Sequence, residues 1–430
     1  MKIQEKRADK IEYPISTMAV CLLLIYLSPF VSLSLNYLAF GICMYRIMRY
    51  DESIFAIDYC ILAGVSYIFL STGRVSLLAW LSIAAALWYM VRNGVQGNIS
   101  FVILLLLMDY MLLRMQMEIN TFVLCFSPLM LLYVLFSKQK KEGIILSVQA
   151  FCGSVILSSI YALIFRNTSQ IRSLQGNEGF AYWGSKLTRF QGLFRDSNYY
   201  MTMVVVSIAL LAILCLNRYI SQRVFIICTA CLVFFGALTY SKTFIVALVI
   251  FAVIFVAMLF YRKHYFLGIG SIVLILGLGV ILSNTLFSVT LYRITSADNL
   301  YDLTTGRSWL IAEYIGEITK TASSLFFGAG LSAEILRRGT HNLFLEVIYY
   351  FGLVGFSLMI AYFVSFLRMI TFRFGADSKN INGVFRYAVL IIFLVLFCTL
   401  QGMTFVITYV MLYLSILATV ITPKEEAFEY

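Results

Sequence analysis

The feature that most constrains this chain is a series of continuous apolar segments, each about as long as a helix that crosses a bilayer. A crossing needs about 20 predominantly apolar residues. Thirteen clear segments lie at roughly residues 15–35, 53–71, 75–91, 99–117, 120–136, 143–165, 199–216, 224–240, 243–260, 266–283, 342–367, 387–402 and 404–422. A shorter piece at 36–49 is a candidate for one more. Because the segments are continuous and do not alternate with period two, they predict helices and exclude an outer-membrane barrel. We expect an all-α, polytopic transmembrane bundle of about 12–14 spans, a single integral membrane domain over residues 1–430.

Composition supports this class. Hydrophobic residues make up 61% of the chain and charged residues 12%, whereas soluble domains carry about 25% charged residues. The nine cysteines all fall within apolar segments. They therefore indicate small buried side chains, and neither a disulfide framework nor a metal centre is predicted. We expect no metal and no cofactor.

The distribution of lysine and arginine predicts an orientation. With a cytoplasmic N-terminus and all the pieces crossing, the inner side carries 19 of the 32 basic residues. Ten more lie in two long outer segments, 166–198 and 284–341, and only three lie in short outer loops. The net charge of +11 is mostly this inner excess, so it does not indicate a nucleic-acid partner.

The first outer loop, 166–198, is basic and contains glycines and aromatic residues. Its five basic residues are Arg166, Arg172, Lys186, Arg189 and Arg195, and Tyr182 and Trp183 lie among them. Four glycines, at 176, 179, 184 and 192, interrupt any regular helix and allow the backbone to approach a ligand closely. One interpretation is a solvated loop whose arginines contact lipid head groups. The sharper hypothesis is recognition of a diphosphate, since a guanidinium donates bidentately to phosphate and keeps its charge.

The large outer loop, 284–341, predicts an amphipathic helix that lies on the outer leaflet or over the bundle mouth. Helical spacing puts Trp309, Ala312, Ile315 and Ile318 near one face. Thr305 is the expected cap, and Gly328 and Gly330 are the expected end.

Few other groups suggest chemistry. His341 precedes a long apolar helix at the outer side, and imidazole has an ordinary pKa of about 6.5, which suits a general base. Glu346 lies one turn after Asn342 and is a candidate to orient His341 or Asn342. For the intramembrane carboxylate Asp109 we favour a structural role over a functional one: it pairs with a neighbouring helix or reaches outward near Arg114. Asp58, near the inner end of its span, is interpreted in the same way.

Five short motifs, in this order, resemble the O-antigen polymerase and ligase superfamily. They are RFQGLFRDSN (189–198), YSKTF (240–244), TTGR (304–307), FFGAGL (326–331) and HNLFLEVIYYFGLVG (341–355). The resemblance covers roughly residues 185–360. Two positions depart from the pattern: Ser197 stands in place of a proline, and Lys242 stands in place of an arginine. A lysine ammonium interacts with a phosphate as a point charge and does not donate two parallel hydrogen bonds, as a guanidinium does.

The resemblance implies a GT-C-like, metal-independent, inverting glycosyltransferase of the bacterial cytoplasmic membrane, with its active site on the outer side. The donor would be an oligosaccharide on a polyprenyl (undecaprenyl) diphosphate. It implies catalytic roles for His341, Arg189 and Arg307, with His341 as the base. It implies substrate binding by the following residues: Arg195, Lys242, Asn198, Asn342, Glu346 and Gly192. A flippase and a chain-length regulator are the partners it implies.

We expect a polymerase of lipid-linked repeat units for a surface polysaccharide such as O-antigen or capsule. Two alternatives remain open. One is the ligase that transfers the glycan to a lipid core, which the motifs do not separate from a polymerase. The other is a lipid-linked glycan flippase or transporter. Two outer loops of this length, and the lack of an internal repeat, speak against a transporter.

Overall fold

The computed structural model describes residues 12–65, 76–114, 119–175, 179–182, 185–194, 196–261, 263, 265–266, 269–270, 272–273, 277, 283–285, 287–296, 299, 304, 306–330, 340–374, 384–398, 400 and 406–423. Most of the predicted apolar segments coincide with helices. The first half of the chain forms α1 (Ile15–Leu27), α2 (Leu35–Arg49), α3 (Glu52–Val65), α4 (Leu77–Asn93), α5 (Ile99–Arg114), α6 (Ile119–Ser137), α7 (Lys141–Phe165) and α8 (Ser169–Leu174).

The second half begins with two short strands, β1 (Gly179–Tyr182) and β2 (Ser185–Thr188), which pair antiparallel. The helices that follow are α9 (Ser197–Leu216), α10 (Gln222–Ala237), α11 (Lys242–Tyr261), α12 (Ser288–Thr295), α13 (Arg307–Thr319), α14 (Ala322–Phe327), α15 (Leu343–Arg373), α16 (Ala388–Phe397) and α17 (Val406–Ala418), with a 3-10 turn at Val384–Tyr387. The predicted span at 266–283 lies largely outside the described residues.

The bundle is organised around two helices that are buried on every side. Almost all of α9 and all of α17 are buried, whereas an amphipathic helix buries one stripe. Among the residues that the structure describes, four helices, α7, α9, α11 and α15, are long and apolar enough to cross a membrane. Large apolar side chains are exposed elsewhere, among them Val91 at 86% and Phe372 at 91%. An apolar exterior of this kind is compatible with a lipid surrounding.

The N-terminal helices correct one expectation and confirm another. The segment predicted as one helix over 15–35 ends at Leu27, and 36–49 lies within a separate helix that packs against α1. Asp58 pairs with a neighbouring helix as expected: Arg46 of α2 donates to both carboxylate oxygens, at 2.6 and 2.8 Å, and the Arg46 side chain is fully buried. Asp109, by contrast, lies exposed on α5, and Arg114 donates to Gly328 O at 2.6 Å.

The amphipathic helix predicted in the large outer loop, 284–341 (the second loop below), differs in part from its prediction. It is divided at Lys320–Thr321 into α13 and α14, because Thr321 caps a new helix through a capping box with Ser324. Its start is capped by Gly306, while Thr305 lies outside the described residues. Trp309, Ala312 and Ile315 share one exposed face, as their spacing predicts, and Trp309 and Ile315 are 44% and 46% exposed. Ile318 departs from that face, because it is buried together with Leu310 and Tyr314.

Helix α15 is interrupted by a glycine. Gly352 has φ 66° and ψ −172°, and the segment Gly328–Gly330 is seated against the break. Ala329 N donates to Tyr349 O at 2.7 Å and Gly330 N to Tyr350 O at 3.0 Å. A Cβ at Gly328 would lie 2.5 Å from Gly352 N, so only glycine permits this approach. The break therefore fixes the first turns of α15, which carry Glu346, against the second loop.

Candidate functional site

The centre of the site is a contact between the end of the first loop and the turn that joins α10 to α11. Arg189 Nε donates to Thr239 O at 2.8 Å, and its Nη2 donates to Asn198 Oδ1 at 3.1 Å. Ser241 Oγ donates to the same Asn198 oxygen at 3.2 Å. The guanidinium fork thus joins three elements: the loop, the turn and the first residues of α9.

The start of α9 explains how Asn198 is placed. Asp196 caps the helix, since its carboxylate accepts from Asn198 N at 2.6 Å. Ser197 is the first helical residue, the position at which proline is tolerated because its missing N–H has no partner there. Replacing the motif's proline by serine is therefore compatible with the same local structure.

Gly192 has a packing role in this structure. Its φ is 56°, in the region that favours glycine, and a Cβ there would lie 2.4 Å from the Tyr200 ring. Its carbonyl accepts a hydrogen bond from Gln175 Nε2. The close backbone approach predicted at Gly192 therefore occurs toward Tyr200, and its predicted substrate contact stays a prediction.

Arg307 joins this cluster from the second loop. Gly306 adopts φ 80° and lets Arg307 begin α13. Burial lowers the pKa of the Arg307 guanidinium below its usual value; the Asp196 carboxylate opposes that shift and the Arg189 guanidinium adds to it. Arg189, Asp196 and Arg307 are thus within electrostatic reach of one another. The charges of Arg189 and Arg307 repel each other, and the Asp196 carboxylate offsets that repulsion.

Glu346, in the first turn of α15, brings a second carboxylate to the cluster. It is 7% exposed. Tyr199 at the start of α9 interacts electrostatically with Glu346, Asp196 and Arg307. Burial, with Tyr349 and Glu346 nearby, raises the pKa of Tyr314 to about 12, so this phenol stays protonated. The first turns of α9, α13 and α15 therefore converge.

His341 lies directly before this turn of α15. Its φ is 48°, an unusual conformation for a residue other than glycine. Asn342 fixes the segment: its Oδ1 accepts from Leu345 N at 3.0 Å and its Nδ2 donates to Cys398 O at 2.9 Å. The oxygen and the nitrogen of the Asn342 side-chain amide thus both bind within the protein, and the oxygen caps the start of α15. A substrate contact by Asn342 stays a prediction.

Two further cations are associated with the turn between α10 and α11. Lys242 is the first residue of α11, directly after Ser241, and it is half-buried. Arg293 of α12 donates through Nη1 to Tyr240 O. Arg189 and Arg293 thus bind consecutive carbonyls of one turn.

Sequence reasoning missed Asp196, Tyr199 and Arg293 as members of this cluster. Asp196 precedes a helix and carries a local capping signal. Arg293 carries no such signal, because its partner is a backbone carbonyl distant in the chain. Of the predicted residues, the described contacts unite Arg189, Asn198, Arg307 and Glu346, whereas Arg195 lies outside the described residues.

An apolar groove begins beside the same end of α15. It has a volume of about 200 Å³ and runs between α15, α16 and α17, from Leu343 and Phe344 to Leu367. Its walls include Phe356, Phe363, Met359, Leu390, Phe393, Leu394, Leu412 and Ile416. Leu343 follows Asn342 directly, so the groove and the polar cluster share the N-terminal end of α15.

No protein-family model matches the chain, and no curated protein matches it.

Proposed function

We propose that the protein is a polymerase that joins oligosaccharide repeat units carried on polyprenyl diphosphate into a surface polysaccharide. It would act as a multi-pass protein of the bacterial cytoplasmic membrane, with about 12–14 spans and its site on the outer side. The observation that carries the proposal is the electrostatic interaction of Arg189 and Arg307, from two separate loops, next to the turn that Lys242 follows and to which Arg293 donates a hydrogen bond.

The charges of this cluster favour an anionic leaving group. Three cations, Arg189, Arg293 and Arg307, accompany two carboxylates, Asp196 and Glu346, and Lys242 follows the turn directly in the chain. The cluster therefore keeps an excess of positive charge. A diphosphate released from a sugar develops negative charge, and fixed cations in a partly buried site stabilise that charge without reorganising. The resemblance noted in the sequence supports the same donor class and a reaction without a metal.

The apolar groove supports a donor with a long hydrocarbon chain. A polyprenyl chain has no hydrogen-bonding groups, and its burial contributes about 0.8 kcal/mol per CH₂. The groove walls are almost entirely aliphatic and aromatic, and the groove begins at the end of α15 that also carries Glu346. One ligand with a charged head and an apolar tail would fit both.

The proposed chemistry is a single inverting displacement. The acceptor hydroxyl oxygen attacks the anomeric carbon of the donor sugar, and the bond from that carbon to the diphosphate oxygen breaks. The electron pair leaves with the diphosphate, which Arg189 and Arg307 stabilise with Lys242. His341 accepts the proton of the acceptor hydroxyl. Glu346 lies on the same end of α15 and contributes to the field there.

The first experiment is the size distribution of lipid-linked glycan in a strain lacking this protein. We expect single repeat units on polyprenyl diphosphate, facing outward. Long polymers stranded on that lipid would replace the polymerase proposal with a ligase, and repeat units retained on the inner face would replace it with a flippase.

Complementation with Arg307→Gln should fail, whereas Arg172→Gln should succeed, since Arg172 is exposed and its described contact is Asn167 at 3.4 Å.

A further inference from the structure

The turn between α10 and α11 is built so that several polar contacts of the site depend on its shape. Thr239 and Ser241 are buried, at 0% and 3% exposed. Thr239 Oγ1 donates to Gly236 O at 2.6 Å and accepts from Ser241 N at 3.3 Å. Outward, the turn offers the Thr239 carbonyl to Arg189 and the Ser241 hydroxyl to Asn198. A change in this turn would therefore disturb two contacts of the cation cluster.

The central residue of the turn has a backbone conformation that favours glycine. Tyr240 has φ 49°, and an L-residue with a large side chain adopts this region at a free-energy cost. Such a conformation persists where surrounding contacts hold it. Two hydrogen bonds are made at this residue: Tyr240 N donates to Ala237 O at 3.0 Å, within the turn itself, and Arg293 Nη1 donates to Tyr240 O from a different helix.

Arg293 is itself held next to the turn by packing. It belongs to α12, which packs against α11. The Phe287 ring, at the start of α12, contacts the Phe244 ring with centroids 6.2 Å apart. Phe244 lies two residues after Lys242, the first residue of α11. Packing thus anchors α12 to the first turn of α11. From α12, the Arg293 side chain reaches the Tyr240 carbonyl, which lies just before α11.

We propose that Arg293 is a positioning residue of the diphosphate site. By donating to Tyr240 O, it holds Tyr240 in its left-handed conformation. This turn keeps Lys242 in place near Thr239, whose carbonyl binds Arg189. A guanidinium suits this role, since it binds a carbonyl with one nitrogen and retains its charge next to the anion. The inference rests on the proposed function for its ligand. The turn contact itself does not depend on that function.

Two measurements test the proposal in the full-length purified protein. The first is hydrogen–deuterium exchange of a peptide covering 236–245, without ligand. Arg293→Gln should raise exchange there, and Arg172→Gln should not. The second is the affinity for farnesyl diphosphate as a probe. Arg293→Gln should weaken it roughly tenfold, which corresponds to about 1.4 kcal/mol. In a Lys242→Gln background, Arg293→Gln should lower the affinity for farnesyl diphosphate by clearly less, since Lys242, the residue that Arg293 positions, is absent.

A second variant separates positioning from direct contact and covers the case in which Arg293→Gln folds poorly. Tyr240→Gly relieves the left-handed conformation, so Arg293→Lys should cost less in that background than in the parent. Unchanged exchange in Arg293→Gln, an equal loss of affinity with and without Lys242, or no relief by Tyr240→Gly would overturn the proposal. If the parent protein does not bind the diphosphate probe, the proposed function fails, and the exchange measurement still decides the role of Arg293 in the turn.

Discussion

Replacing Arg189 by lysine keeps the positive charge and removes the fork. Two nitrogens of Arg189 reach acceptors on different elements, Thr239 O at 2.8 Å and Asn198 Oδ1 at 3.1 Å. A lysine ammonium sits at a single point and would reach one of them. A hydrogen bond that involves a charged group contributes about 1.5–3 kcal/mol. Since about 1.4 kcal/mol corresponds to a factor of ten, we expect turnover in Arg189→Lys to fall roughly tenfold to a hundredfold.

The assay is elongation of a lipid-linked repeat unit by purified protein, with thermal unfolding measured in parallel. Arg172→Lys is the matched control, because Arg172 lies exposed in the same loop. Asn198→Ala removes the acceptor of Arg189 Nη2, so the double variant should be little worse than the worse single variant. Full turnover in Arg189→Lys, or losses that add in the double variant, would refute the idea that the fork holds the loop to α9.

Three further predictions concern the fold and the base. Arg46→Met leaves the buried Asp58 carboxylate without its cation and should cost about 3–5 kcal/mol of stability, measured by thermal unfolding. The double variant Arg46→Met with Asp58→Leu should recover most of that lost stability. No recovery in the double variant would contradict the pairing. Gly328→Ala should destabilise by at least about 1 kcal/mol, whereas Gly316→Ala, where a Cβ meets nothing within 4 Å, should not; equal unfolding temperatures would contradict the close approach. His341→Ala should lower turnover by about 10²–10⁴-fold while the farnesyl diphosphate affinity is kept, and near-normal turnover would remove His341 as the base.

Local chemistry predicted part of this molecule. Continuous apolar runs predicted most of the helices, because such a run cannot leave its backbone unpaired in an apolar surrounding. The structural role favoured for Asp58 was confirmed, because a buried carboxylate needs a partner and Arg46 is available on the adjacent helix.

What the sequence did not predict depends on tertiary contacts. The buried face of α13 is chosen by α15, where the Tyr314 and Tyr349 rings meet at 4.9 Å, so Trp309 and Ile315 are left outside. Arg293 has no motif, since its acceptor is a carbonyl whose availability follows from the shape of a turn. Periodicity and motif spacing contain neither kind of information.

The break in α15 bears on the transporter alternative. In transporters, interrupted helices use freed backbone carbonyls to coordinate cations. Here the carbonyls before Gly352 accept hydrogen bonds from the protein itself: Tyr349 O from Ala329 N, Tyr350 O from Gly330 N and Phe351 O from the Tyr110 hydroxyl at 2.8 Å. The break is therefore filled by the second loop, and it fixes the turn with Glu346 against α13. These three carbonyls are therefore engaged within the protein and differ from the cation-coordinating carbonyls of an interrupted transporter helix. This geometry speaks against one use that a transporter makes of such a break.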